Sequence, residues 1–363
     1  MTKSVVNLTF HVSSAGMLKV SGVTGAVESL KHVLSGEPAP RTLDIPSFLD
    51  QRDKMRAGGR SRTFESKLLA VGDVYVKEAF DELSRKLHGC ARIEVFCDPT
   101  PHEQMLLVQW LAWLTTQDGL IEKTVLHHCI VLLGGQLSKY WTPHQLYTST
   151  SPVTKEVVST ALNAWNAYTH STPEQWVGLL SEDLSALPYL RYAVFRALQE
   201  LPSVDRGLSR TAWSVLDFLS SRAEPTFGQV LQAVGDSDTS HFMGDLETRI
   251  WLREFLRLGL CRVVNKQQGQ ELPRIGAFDA NLSELLDCRF TLSVAGLALV
   301  SGKRDLLDLA IVDYWWGGTR LNNHTYWRWD SRKAQLIAPA QGKFPDRHLA
   351  PGRVLSFSNT EKK

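Results

Sequence analysis

From Val5 to Val12 the chain is rich in β-branched and apolar residues, alternating with Asn7, Thr9 and His11, and reads as a first strand. Ser13-Ser14-Ala15-Gly16 then reads as a small-residue turn that feeds a short helical stretch from Met17. Gly25 to Leu30 reads as a second strand and Gly36-Glu37-Pro38-Ala39-Pro40 as a loop. Tyr75 to Leu87 follows a helical period, Ala91 to Cys97 is a strand, Glu103 to Leu114 a helix and Thr124 to Leu133 an apolar strand. This alternation predicts a mostly parallel sheet covered on both faces, a Rossmann-like α/β domain over residues 1–147. From Val153 the strand signal stops. Lys155 to Tyr168, Pro173 to Leu180 and Tyr189 to Glu200 read as three helices, a helical linker domain over 148–204. Beyond it, Ser209 to Ser220, Thr226 to Val234 and Gly244 to Leu258 read as helices, and Leu260 to Asn265 and Asp287 to Leu292 as strands. That is the order of a winged helix-turn-helix, predicted over 205–338, with a loosely ordered tail over 339–363.

Composition narrows the class without naming a reaction. The chain has 363 residues, 43% of them hydrophobic, enough for more than one core. Forty Lys plus Arg against 38 Asp plus Glu leave a net charge of +2, so local charge must decide about anionic partners. The five cysteines, Cys90, Cys97, Cys129, Cys261 and Cys288, show no Cys-x-x-Cys pair and read as reduced, buried apolar residues. Met1-Thr2-Lys3-Ser4 lacks a signal-peptide pattern, and no run reaches the roughly 18 apolar residues of a membrane span, so a cytoplasmic protein with no membrane partner is expected.

Candidate chemistry falls in three places. His11, Ser13, Ser14, Asp98, His102 and Glu103 lie on loops that follow strands, where open α/β sheets place ligands. Small residues at such a turn let backbone N–H groups approach a small anion, and His102 or Glu103 is a candidate acid or base. The alternative is a tight turn and a helix whose acidic first turn serves its dipole. No complete Gly-rich fingerprint or P-loop is present, so no cofactor is expected. His127-His128-Cys129 does not make a metal site, because neighbours on a strand face opposite ways.

The second place is the third helix of the winged-helix pattern, where Arg249, Arg253 and Arg257 recur every fourth residue. Such a stripe suits phosphate contacts in a DNA groove, a docked protein partner, or plain solvation and ion pairing, Glu247 and Glu254 being on the same helix. The basic cluster Arg52, Lys54, Arg56, Arg60 and Arg62 reads as a solvated helix and loop. The third place is Asp313-Tyr314-Trp315-Trp316-Gly317-Gly318-Thr319-Arg320, followed by Trp327-Arg328-Trp329-Asp330. It holds four of the 11 tryptophans. It serves either as a stacking platform or as a structural lock with Arg328 paired to Asp330 or Asp313.

Phe10-His11-Val12 with Ser13-Ser14-Ala15-Gly16, Gly36-Glu37-Pro38, Glu103-Gln104, Pro202-Ser203 with Gly207-Leu208-Ser209-Arg210-Thr211, and the Trp-rich stretch together resemble a bacterial family, the domain of unknown function eighteen-thirty-five. The resemblance spans most of the chain to about Ile337 and implies an α/β first domain with a helical and winged-helix-like remainder. It implies no established activity. The family's Gly and acidic residue between first strand and serine are missing from His11-Val12-Ser13-Ser14, which would alter or inactivate a site there. Three functions remain open: a ligand-responsive regulator contacting DNA or protein, an enzyme acting on a phosphorylated or nucleotide-like molecule, and a scaffold with a degenerate site.

Overall fold

The computed structural model describes residues 4–30, 32–34, 36–57, 64–130, 132–133, 147–238, 245–265, 288–339 and 354–356. The chain is mixed α/β and divides into two compact units. The first comprises Met1–Arg56, Leu68–Arg196 and Gly317–Thr319; the second comprises Ala57–Lys67, Ala197–Trp316 and Arg320–Lys363.

The first unit is built on β1 (Val5–Thr9), β2 (Ala26–Ser29), β3 (Arg92–Cys97), β4 (Thr124–Cys129) and β5 (Tyr147–Pro152), in the order β2-β1-β3-β4-β5. The first four are parallel and β5 runs antiparallel on the edge. In register, Leu8 lies beside Val95 and Val95 beside Leu126, all three fully buried. Strands covered on both faces carry such apolar runs.

Between the strands lie α1 (Val12–Val20), α2 (Ile45–Ala57), α3 (Phe64–Gly89) and α4 (Pro101–Leu114). After β5 come α5 (Lys155–Tyr168), α6 (Glu174–Gly178) and α7 (Leu190–Leu198). Met17 and Leu18 of α1 pack on Phe96, Cys129 and Leu133. Apart from His102 every residue of α4 is buried, with α5 against the helix, so it carries Trp110 and Trp113 without a solvated face. The residues expected as a separate helical linker therefore join the first unit as far as Arg196.

The second unit contains α8 (Arg210–Ser221), α9 (Phe227–Ser237), α10 (Asp245–Arg257) and the antiparallel pair β6 (Cys261–Asn265) and β7 (Cys288–Leu292), then α11 (Val294–Val300). Ser209 caps α8 through Ala212 N–H, and Thr226 with Gln229 forms a capping box on α9. The Trp-rich stretch forms β8 (Ile311–Trp316) and β9 (Thr319–Asn322), then the hairpin of β10 (Arg328–Asp330) and β11 (Gln335–Ile337). Within the expected loose tail, β12 (Val354–Ser356) pairs in parallel with β8.

Candidate functional site

Strand order reverses between β1, which connects to β2 on one side, and β3, which connects to β4 on the other. A crevice opens at the carboxyl ends of two such strands, and the helices that follow present their N-termini to it. Helix α1 follows β1 with His11 in extended conformation at the N-cap position, and α4 follows β3 with Thr100 as N-cap and Pro101 at its first position. The imidazoles of His11 and His102, one from each helix start, meet edge to face at 5.9 Å between ring centroids. His11 and Ser13 are exposed and His102 is half-buried.

The expected turn at Ser13-Ser14-Ala15-Gly16 is already helical. Its reason is packing: Ser14, Ala15, Met17 and Leu18 form one buried face, so the helix begins as soon as β1 ends. Ser14 does not face a ligand; its hydroxyl donates to the Leu133 carbonyl at 3.1 Å. Asp98 is likewise internal, accepting from Thr100 N at 2.9 Å, Thr100 Oγ1 at 2.5 Å and Leu133 N at 3.0 Å. These two residues fasten the segment after β4 to the ends of β1 and β3. Glu103 occupies the third position of α4, where a glutamate ordinarily accepts the N-cap N–H. Asp98 has taken that donor, and the Glu103 carboxyl, 2% exposed, has no hydrogen-bond partner among the described residues. Burial, and then the Asp98 charge, raise its pKa well above the ordinary carboxylate value, which favours the protonated form. Burial, with His11 and His32 nearby, lowers the His102 pKa to about 3.

Behind His102 lies a buried polar group that sequence reasoning missed. Arg52, expected on a solvated surface, is fully buried and bonds to Asp73. Its Nη1 also donates to the Val33 carbonyl at 2.5 Å, and its guanidinium lies 4.9 Å from the Phe48 ring. Arg56 bonds to Glu37 and, at 2.7 Å, to Asp73. His32, also against Phe48 with 5.9 Å between rings, shares a 2.6 Å hydrogen bond with Gln109 Oε1. Burial, and then Arg52, lower its pKa to about 3. The signal lies in the spacing: Ile45, Phe48, Leu49, Arg52 and Arg56 recur along one helix face, so the two arginines continue an apolar stripe. Lys54 is exposed as expected; Arg60 and Arg62 lie outside the described residues.

Other expectations resolve into structural roles. His127 bonds to Glu94 and stacks on Phe96, whereas His128 lies 3.1 Å from Ser151 Oγ. All five cysteines are buried, and none is bonded to another. The α10 arginines do not form an open stripe: Arg253 is 6% exposed, Arg249 and Arg257 are half-buried, and Arg257 pairs with Glu254 at 2.9 Å. The helix packs closely enough that Trp251, Leu252, Phe255 and Leu256 are buried as well.

In the Trp-rich stretch Arg328 pairs with neither Asp330 nor Asp313. Its partner is Asp305, while Asp313 binds Arg320 and Asp330 accepts from the backbone of Arg332 and Lys333. Trp316, Trp327 and Trp329 are buried, Trp316 donating to the Ala197 carbonyl, and cannot serve as stacking platforms; Trp315 is half-buried beside Arg320. Gly317-Gly318 makes the connection between β8 and β9, with Gly317 in the left-handed region.

No family model and no curated protein matches the chain. Among solved structures the chain is similar to the DNA-binding, cleavage and re-ligation domain of Plasmodium falciparum topoisomerase II, at 10% identity and a TM-score of 0.36. That likeness covers 80% of this chain, which spans about half, 47%, of the other, and it is too slight to carry an argument. Among the described residues no helix is long and apolar enough to cross a membrane.

Proposed function

We propose that the protein is a bacterial, cytoplasmic, ligand-responsive regulator or interaction protein. In this reading a Rossmann-like first domain binds a small anionic molecule and a winged-helix-like remainder contacts a partner. The observation that carries it is the meeting of His11 and His102 at two helix starts above the point where strand order reverses. Helix N-termini favour negative charge, and an arriving anion makes the imidazoles easier to protonate. The composite likeness to the domain of unknown function eighteen-thirty-five is compatible with this use. The burial of α10 favours a protein partner over DNA gripped by that helix.

Titration of the full chain with phosphomonoesters and nucleotides, by calorimetry, tests the reading. Saturable binding that is lost in the double variant His11→Ala, His102→Ala is expected; binding unaffected by that change defeats it. Duplex DNA anisotropy across a salt series tests the partner, and a steep fall in affinity with salt would restore DNA to the remainder.

An enzymatic reading has one specific support. Glu103 is a buried carboxyl with raised pKa and no hydrogen-bond partner among the described residues, stationed beside Asp98, the arrangement from which a general acid is drawn. Turnover of a phosphorylated substrate that disappears in Glu103→Gln, with binding retained, would convert the regulator into an enzyme.

A further inference from the structure

We propose that His32, Arg52 and Gln109 form an anion-binding subsite behind His102, so that the ligand of the cleft enters with a phosphate-like group foremost. This rests on the cleft reading given above and extends it to residues outside the cleft.

Three side chains that are 0%, 2% and 6% exposed, Arg52, Gln109 and His32, each keep one nitrogen without a hydrogen-bond partner among the described residues: Arg52 Nε, Gln109 Nε2 and His32 Nδ1. Leaving such an atom bare in the interior is unfavourable. They are neighbours, because His32 bonds to Gln109 at 2.6 Å and both His32 and Arg52 lie against Phe48.

Their chemistry becomes uniform when His32 takes up a proton. Arg52 Nε and Gln109 Nε2 are donors only, and His32, whose Nε2 donates to Gln109 Oε1, becomes a second-side donor at Nδ1 on taking up a proton. Once His32 is protonated, a group that satisfies all three must accept, and an oxyanion accepts from several donors at once. The local charge also leaves room for it. Arg52 and Arg56 are matched by Asp73 and Glu37, so an incoming negative charge together with a proton on His32 keeps the cluster balanced. The charged and titratable groups around His32 are Arg52 and Arg56 of α2, Asp73 of α3, Glu37 of the loop before α2, His102 of α4 and Tyr168 of α5. His102, whose ring hydrogen-bonds the His32 backbone, also meets the exposed His11, which sets the subsite next to the cleft.

Proton uptake on His32 makes binding tighter as pH falls, and the same donors serve free phosphate or the terminal phosphate of an ester. The experiment titrates the full chain with inorganic phosphate and separately with a phosphomonoester, following the histidine ring resonances by NMR. Expected are a His32 ring driven toward its imidazolium form by phosphate, and affinity about tenfold or more weaker in Gln109→Met, which keeps the volume and removes the donor. Tighter binding of the ester than of phosphate would show a ligand continuing outward past His102; equal affinity would mean free phosphate is the whole ligand. Phosphate binding of equal strength in Gln109→Met overturns the subsite. So does a silent His32 when esters still bind and His102→Ala abolishes them, an outcome that leaves the cleft standing and assigns the three nitrogens to water. Conversely, phosphate that moves His32 equally well after His11→Ala and His102→Ala keeps the subsite and removes the cleft.

Discussion

Asp305 grips Arg328 with both carboxylate oxygens, Oδ2 at 2.6 Å from Nη1 and Oδ1 at 3.0 Å from Nη2, and Nη1 also donates to the Ser203 carbonyl at 3.0 Å. A planar fork is needed to reach all three acceptors, and lysine has none. Arg328→Ala should cost about 2–4 kcal/mol, because a partly buried Asp305 is left without its cation. Urea denaturation should find Arg328→Lys destabilised by more than half as much; a lysine variant as stable as the parent would reduce the pair to simple charge.

Gly318 is required by contact rather than by freedom of rotation. Its N–H donates to the Tyr168 carbonyl at 2.9 Å, and a Cβ placed on it would lie 2.1 Å from the Thr169 carbonyl oxygen. Backbone meets backbone there, so neither side can swing away. Gly318→Ala should destabilise the first unit by about 3 kcal/mol or more. Thermal unfolding unchanged by the methyl group would mean that this turn does not lie on the end of α5 in solution.

Arg253→Ala separates a cationic surface from a packed interior. Since Arg253 is 6% exposed, its removal should lower stability by about 2 kcal/mol or more. A variant of unchanged stability that loses a nucleic-acid or protein partner would instead put this side chain on the surface.

The acid limb of stability follows from two histidines. His32 and His102 stay neutral in the folded protein down to about pH 3, whereas in the unfolded chain they titrate near about 6.5. Between these values the unfolded state holds more protons, so stability is full above about pH 6.5 and falls as pH drops toward about 3. Each group contributes a slope of up to ~1.4 kcal/mol per pH unit. Urea titrations should show the slope reduced in His32→Asn, and an unaltered slope would mean that this imidazole is already charged when folded.

Glu103 acts in the opposite sense. Its folded pKa is raised, so the folded protein keeps the proton that the unfolded chain releases above about pH 4.5, and stability declines as pH rises. Glu103→Gln should therefore stabilise the unliganded protein at neutral pH. A loss of stability there would reveal a bonded carboxylate.

Local patterns were legible in the sequence and distant meetings were not. The starts of α5, α8 and α9 follow from Thr154, Ser209 and Thr226, each a cap beside its own helix. The alternation of strands and helices likewise foretells the parallel sheet. By contrast, His32 meets Gln109 across 77 residues, Asp98 meets Leu133 across 35, and Arg328 finds Asp305 across 23. No period in the sequence encodes such partners. Asp98 and Ser14 drop from the ligand-facing set because their oxygens are consumed by Leu133, while Arg52 leaves the solvent because its helix face, not its charge, determines where it points.

Buried thiols are chemically silent until the surrounding structure opens, and this chain distributes them evenly enough to serve as internal clocks. Cys90, Cys97 and Cys129 belong to the first unit, and Cys261 and Cys288 to the second. A thiol-reactive dye followed by peptide mapping would time the two openings separately within one sample. Shielding of the first three by an added compound, with the last two unaffected, would assign its binding to the first unit whatever the compound's chemistry.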